Sequence, residues 1–176
     1  MPKAQLLTSE LFADLIERAS QSPRRRTNHN FHSGPEDNPH RFLNVILRGS
    51  YVAPHRHLQP PKAESFIVLE GWIAMFTFDD AGAVTRTHLL GSGPLPANTI
   101  FPQSTARGID LQPGLWHTLA ALTDHAVCFE VKPGPWDPST DKEFAPWAPL
   151  EGDPAAVGYL NRLLGPLTTS EHESGS

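Results

Sequence analysis

The chain has 176 residues, about one domain, and a chain of that size buries roughly two thirds of its unfolded surface without disulfide staples. Its 18 prolines and 13 glycines favour a turn-rich β fold over a helix bundle. A net charge of −5 argues against a general nucleic-acid or anionic-membrane footprint, with Arg24, Arg25 and Arg26 a local exception. The single cysteine, Cys128, excludes an intrachain disulfide, and its apolar run (AVCFEV) marks it as a packing residue. No apolar stretch approaches the roughly 20 residues of a membrane span, and MPKAQLLTSE has no signal-peptide core. The expected location is cytoplasmic.

In chain order, a short amphipathic helix comes first. Thr8 or Ser9 can cap it, and Leu11, Phe12, Leu15, Ile16 and Ala19 share one face. Residues 21–40 read as a polar, irregular arm, so 1–40 form an N-terminal helix and arm. Strand-like runs then fill 41–132: FLNVILR, SYVAP, ESFIVLEG, WIAMFTF, AVTRTHLL, ARGIDL, HTLAAL and HAVCFEV. The DDAG segment, Asp79 to Gly82, predicts a tight hairpin turn. Many short strands at close spacing predict a sandwich or barrel. From Lys132 to Gly152 the pattern is aperiodic, with five prolines and two tryptophans, and predicts an ordered extended strap over the barrel or over a partner subunit. A second helix follows, with Asp153 as cap, Pro154 in its first turn and Gly165-Pro166 at its end. Its expected apolar face is Val157, Leu160, Leu163 and Leu164. The strap and helix span 133–166, and 167–176 is expected to be a disordered tail.

Chemistry concentrates in the run from Gly49 to Gly71, GSYVAPHRHLQPPKAESFIVLEG. Residues two apart on a strand point the same way, so His55 and His57 can aim two imidazoles at one ion. Glu64 lies just beyond, and His117 arrives after the Pro113-Gly114 turn. Three imidazoles and a carboxylate form an N/O ligand set that suits Zn, Fe(II), Mn, Ni or Cu rather than Ca or Mg.

The spacing of these residues resembles the two motifs of the cupin superfamily. Gly49, His55-Arg56-His57, Glu64 and Gly71 are similar to the first motif, and Pro113-Gly114-Leu115-Trp116-His117 to the second. The resemblance implies a mainly β fold: a single cupin-type β-barrel (a double-stranded β-helix or jelly roll), here with short N- and C-terminal helices. By position it implies His55, His57, Glu64 and His117 as ligands of one divalent transition metal per chain, with Fe, Mn, Ni or Zn as candidates. Three departures stand out, one of them that the second motif lacks the residue usual between Pro113 and Gly114. Six residues separate His57 from Glu64, where cupins usually have three or four, so LQPPKA must bulge; and Ala121 stands where asparagine is common. RRRTNHNFH, RGSYVAPHRH with ESFIVLEG, and VKPGPWDP with DKEFAPWAP together resemble the WbuC-type cupin metalloproteins over roughly residues 24–150. That family is associated with bacterial surface-polysaccharide gene clusters.

Around this set, Tyr51 shares the parity of His55, and Phe66 shares that of Glu64, so both are candidates to line a substrate cavity. Arg26 and His32 are the candidates from the arm, since arginine suits bidentate recognition of carboxylate or phosphate. Arg56 should point away from the ligands, Trp116 should pack outward, and Glu70 is expected in a rim salt bridge. No residue is identified as catalytic. The expected function is a metal-dependent enzyme acting on a small polar, sugar-like molecule, with a metal-dependent binding or sensing module as the alternative. A homodimer is expected, with no nucleic-acid or membrane partner.

Overall fold

A computed structural model describes residues 4–94, 96, 99 and 105–167. It begins with helix α1 (Ser9–Gln21), where the Thr8 hydroxyl accepts from the Leu11 amide at 3.2 Å. Ten strands follow: β1 (Arg26–Asn30), β2 (His40–Leu47), β3 (His55–Arg56), β4 (Glu64–Phe78), β5 (Val84–Ser92), β6 (Thr105–Ala106), β7 (Gly108–Leu111), β8 (Trp116–Ala121), β9 (His125–Lys132) and β10 (Glu143–Phe144). Helix α2 (Ala155–Leu164) follows and runs on into a 3-10 turn, Gly165–Leu167.

The two runs ESFIVLEG and WIAMFTF are one strand, β4, and this strand builds the barrel. Its first half pairs with β7 and β9, its second half with β5 and β8, so it belongs to both sheets. The change of partners falls at Gly71, which sits at φ 76°. A side chain there would be strained and would run into the carbonyl of His125. The strand order is β1-β2-β9-β4-β8-β3-β10, with β5 and β7 flanking β4. The result is the expected cupin-type fold, a curled antiparallel sheet with a helix near each end.

Three apolar clusters follow from strand alternation. Phe66, Val68, Ile73, Met75, Leu119 and Cys128 fill the space between the sheets. Leu43, Val45, Leu47 and Val127 face outward and receive Leu15 and Ala19 of α1. Trp72, Phe76, Phe78 and Trp116 face out on the other sheet, where Ala145, Trp147, Leu163 and Leu164 cover them. The Pro/Trp-rich segment is thus a strap packed over the barrel.

Four local readings change. Residues 50–54 (SYVAP) are not a strand; their carbonyls serve other partners. Tyr51 O accepts from Arg26, Val52 O from Thr118, Ala53 O from His55 and Pro54 O from the Ala145 amide. Within RRRTNHNFH, by contrast, Arg26 to Asn30 form β1, paired residue for residue with β2. The alternation there is polar, so no hydrophobic period marks it. Val157 is 67% exposed, and α2 buries Ala156 and Leu160 instead. Asp153 does support that helix, its carboxylate accepting from the Ala155 amide at 2.7 Å. Leu167, assigned to the tail, is buried; the rest of the predicted tail lies outside the described residues. The DDAG turn forms as expected, with Asp79 Oδ1 accepting from the amides of Ala81 and Ala83.

Candidate metal centre

His55 and His117 are direct cross-strand partners on β3 and β8. Glu64 opens β4 with its side chain turned inward, and the LQPPKA loop bulges between His57 and Glu64, closed by a Leu58–Pro61 bridge. The four side chains meet inside the barrel, at most 5% exposed, with one ligand atom from each lying within 4.8 Å of the others. His57 Nε2 is 2.9 Å from Glu64 Oε1, and His117 Nε2 is 3.0 Å from Oε2. Despite this closeness, His57 Nε2, His117 Nε2 and Glu64 Oε2 lack a hydrogen-bond partner.

The far side of each ring explains this arrangement. His55 Nδ1 donates to Ala53 O at 2.9 Å, His117 Nδ1 to Leu115 O at 2.9 Å, and His57 Nδ1 to Asp141 O. A carbonyl can only accept, so each Nδ1 carries the proton. In a neutral ring, Nε2 is then a bare lone pair aimed at the cluster. Burial first, then the charge of Lys142 and His117, hold the His55 imidazolium well below its ordinary range, so this ring is neutral. Burial would raise the Glu64 carboxyl, but the close approach of His117 and His57 outweighs it and keeps the group well below the usual carboxylate range. Lone pairs and an ionised carboxylate converging on one buried point are the donor set of a cation site. These residues fit a metal ion and can hold one.

Behind the cluster runs a second layer of charge. Lys132 Nζ lies 3.5 Å from Glu64 Oε1 and 3.0 Å from Asp141 Oδ2, and Lys62 Nζ lies 2.9 Å from Asp141 Oδ1. All three residues are buried. Asp141, from the strap, therefore binds two ammoniums with its carboxylate and one metal-site histidine with its carbonyl.

An inner cavity of about 80 Å³ adjoins the cluster, lined by His55, Glu64, His117, Phe66, Ile46, Asn44 and Leu119 among others. Glu130 also lines it, and nothing in the sequence reading identified this residue. It follows Ala126 and Cys128 on the inward face of β9, so parity within HAVCFEV could have found it. Asn44 donates to its carboxylate. Burial, then the nearby Glu64 charge, push the Glu130 carboxyl well above its ordinary range, so it stands as a neutral acid. A carboxyl whose folded value is raised binds a proton that the unfolded chain has released. Its presence therefore lowers stability progressively as pH rises above about 4.5. Metal-free Glu130→Gln, which keeps the Asn44 contact, should gain stability relative to the metal-free parent as pH climbs from 4.5 to 8. Parallel urea-denaturation curves for the two proteins across that range would contradict the assignment.

Of the candidate substrate residues, Phe66 lines the inner cavity. Arg26 lines both this cavity and a larger outer cleft of about 940 Å³. Its guanidinium bonds Tyr51 O and Glu151. His32 lines the outer cleft, stacked on His40 at 4.1 Å. Tyr51 does not take the place expected of it. Because residues 50–54 are not a strand, its parity with His55 is lost. Its hydroxyl donates to Pro149 O at 2.7 Å, its ring meets Tyr159, and burial pushes its phenol above the ordinary range.

Arg56 points outward into a forked pair with Glu143 and lies 4.2 Å over the Trp116 ring. Trp116 packs outward and donates to Asp80. Glu70 pairs with His125 at 2.7 Å.

Similarity to solved structures supports the fold. A domain of unknown function, DUF6016, matches residues 7–90. No curated protein matches the chain. Among solved structures, the chain is similar to the capsular polysaccharide assembling protein CapF from Staphylococcus aureus, at 18% identity and a TM-score of 0.51, covering 66% of this chain and 28% of that one. CapF with the inhibitor 3-isopropenyl-tropolone gives 20% identity and a TM-score of 0.52, over 70% of this chain and 32% of that one. The chain thus spans about a third of CapF. Protein SO0799 from Shewanella oneidensis matches over its full length and 94% of this chain, at 11% identity and a TM-score of 0.54. Fold and site together define a cupin-type barrel with a buried three-histidine, one-glutamate cluster. Among the described residues no helix is long and apolar enough to cross a membrane.

Proposed function

We propose that the protein is a WbuC-type cupin metalloprotein. In this reading His55, His57, Glu64 and His117 hold one divalent transition metal, and the protein is an enzyme acting on a small polar, sugar-like molecule. The observation that carries the reading is the set of partnerless atoms, His57 Nε2, His117 Nε2 and Glu64 Oε2, converging where the Nδ1–H bonds have fixed every ring. When bound, the ion supplies a Lewis acid that polarises a substrate oxygen or lowers the pKa of a bound water. The chain supplies the rest. Phe66, Ile46 and Leu119 keep the inner cavity apolar on one side. Glu130, held neutral beside the cluster, can give or take a proton at its carboxyl.

That acid favours an enzyme over the alternative, a binding or sensing module that changes no bond. The similarity to a capsular polysaccharide assembling protein supports a sugar-like substrate and a link to surface-polysaccharide biosynthesis. A cytoplasmic homodimer completes the proposal. The test is to incubate metal-supplemented protein with a panel of sugars and nucleotide sugars, following products by NMR and oxygen by electrode. Turnover of one compound, abolished by chelation, is expected. Saturable binding with no product from any compound would establish the binding module instead.

A further inference from the structure

The outer cleft has chemistry that the metal cluster does not use. One wall is β1, whose alternate residues Asn28 and Asn30 line it. Asn28 Nδ2 donates to Asn30 Oδ1 at 2.7 Å. That pairing leaves the Asn28 carbonyl as an acceptor and the Asn30 amide as a donor, a complement to neighbouring hydroxyls. The strap also lines the cleft and presents Trp136 and Phe144, each 45% exposed. Two large aromatic rings left open in a polar cleft offer faces for a ring to lie on.

Lys142 stands where the cleft meets the inner cavity and lines both. The neighbouring Lys62 and Lys132 give their ammoniums to Asp141, whereas Lys142 makes no hydrogen bond and no ion pair among the described residues. Arg24 adds a second exposed cation, 3.9 Å from Glu151.

We infer that this cleft binds a sugar carrying a carboxylate or phosphate, with its anionic group on Lys142, its hydroxyls on the Asn28–Asn30 pair and a ring face on Trp136 or Phe144. The inference rests on the reading of a small polar substrate at the metal centre and gives that substrate a charge. Arg24 adds long-range attraction at the cleft mouth.

The test is calorimetric titration of metal-supplemented protein with glucuronate, glucose 1-phosphate, glucose and inorganic phosphate. It uses the parent, Lys142→Met, Lys142→Arg and Trp136→Ala, with metal content measured in each. At least one acidic sugar should bind about tenfold or more tighter than glucose, and the tighter of the two identifies the anion. Lys142→Met should lose that preference while keeping its metal, Lys142→Arg should keep the preference, and added salt should shrink it. Trp136→Ala should weaken the sugars and leave inorganic phosphate unchanged. Equal affinity for glucose, a preference that survives Lys142→Met, or no binding of any probe would overturn the inference. Acidic-sugar preference in a protein that takes up no metal would sink the metal reading and leave the cleft assignment standing. Full metal occupancy without that preference would do the reverse.

Discussion

Glu64→Gln is expected to lower transition-metal affinity by at least about 100-fold while leaving the fold intact. The carboxylate is the only anion in the ligand set, and it spans the cluster, with one oxygen near His57 and the other near His117. A neutral amide of the same shape cannot offset a divalent charge. It can, however, donate to one of the partnerless Nε2 atoms, which the ionised carboxylate cannot do. Even so, metal-free Glu64→Gln should melt lower than the metal-free parent near neutrality, because it gives up the favourable ionisation of the carboxylate and its 3.5 Å approach to Lys132. Added metal at 100 times its dissociation constant should stabilise the parent by about 2.7 kcal/mol through linkage and leave the variant unmoved. Thermal melts with and without metal read both effects. A variant stabilised as much as the parent would remove Glu64 from the ligand set.

The second large effect is expected at Asp141. Its carboxylate takes both Lys62 and Lys132, with all three side chains at most 8% exposed. Asp141→Ala leaves two buried ammoniums without their counter-ion, and removal of one partner from such a group costs about 3–5 kcal/mol. That is a large share of an ordinary domain's stability of roughly 5–15 kcal/mol. The same residue's carbonyl fixes His57, so the variant should also hold metal more weakly if the strap shifts. Burial opposes ionisation of Asp141, but the Lys132 charge and the hydrogen bonds from Lys62 and Lys132 outweigh it and hold the carboxyl below its ordinary 3.8. Its contribution is accordingly present above pH 3.8 and is lost as pH falls through the lower folded value. Urea titrations should show the full gap between parent and variant near neutrality and a narrowing gap below that pH. A gap under about 1 kcal/mol at pH 7 would mean that the triad is solvated and weak.

Legibility in the sequence tracked how local each feature was. The ligands were readable because a period of two, a Pro-Gly turn and glycine frames are short-range signals, and His55 does fall opposite His117. Helix α1 was readable from its apolar stripe and its Thr8 cap. Strand β1 was missed because its alternation, Arg26, Asn28, Asn30, faces a wet cleft and carries no hydrophobic period. SYVAP was read as a strand on composition, but its carbonyls are taken by Arg26, Thr118, His55 and Ala145, partners distant in sequence except for His55. Tyr51 was misplaced with it. Glu130 was hidden in a run whose apolar neighbours suggested only packing, although its parity with Cys128 was visible. Asp141 and Lys142 open the DKEFAPWAP run that carries the family resemblance, but no periodicity or spacing gave either a role. They sit in an aperiodic strap, which reaches the metal-site strand through the short pairing of β10 with β3 and the His57–Asp141 and Ala145–Pro54 hydrogen bonds.

Elemental analysis of untagged protein, purified without chelators, tests the central claim most directly. About one iron, manganese, nickel or zinc ion per chain, removed by chelation and restored by adding that ion, is the predicted result. Protein that emerges metal-free and takes up none of these ions at neutral pH would contradict the assignment of His55, His57, Glu64 and His117 as a metal centre.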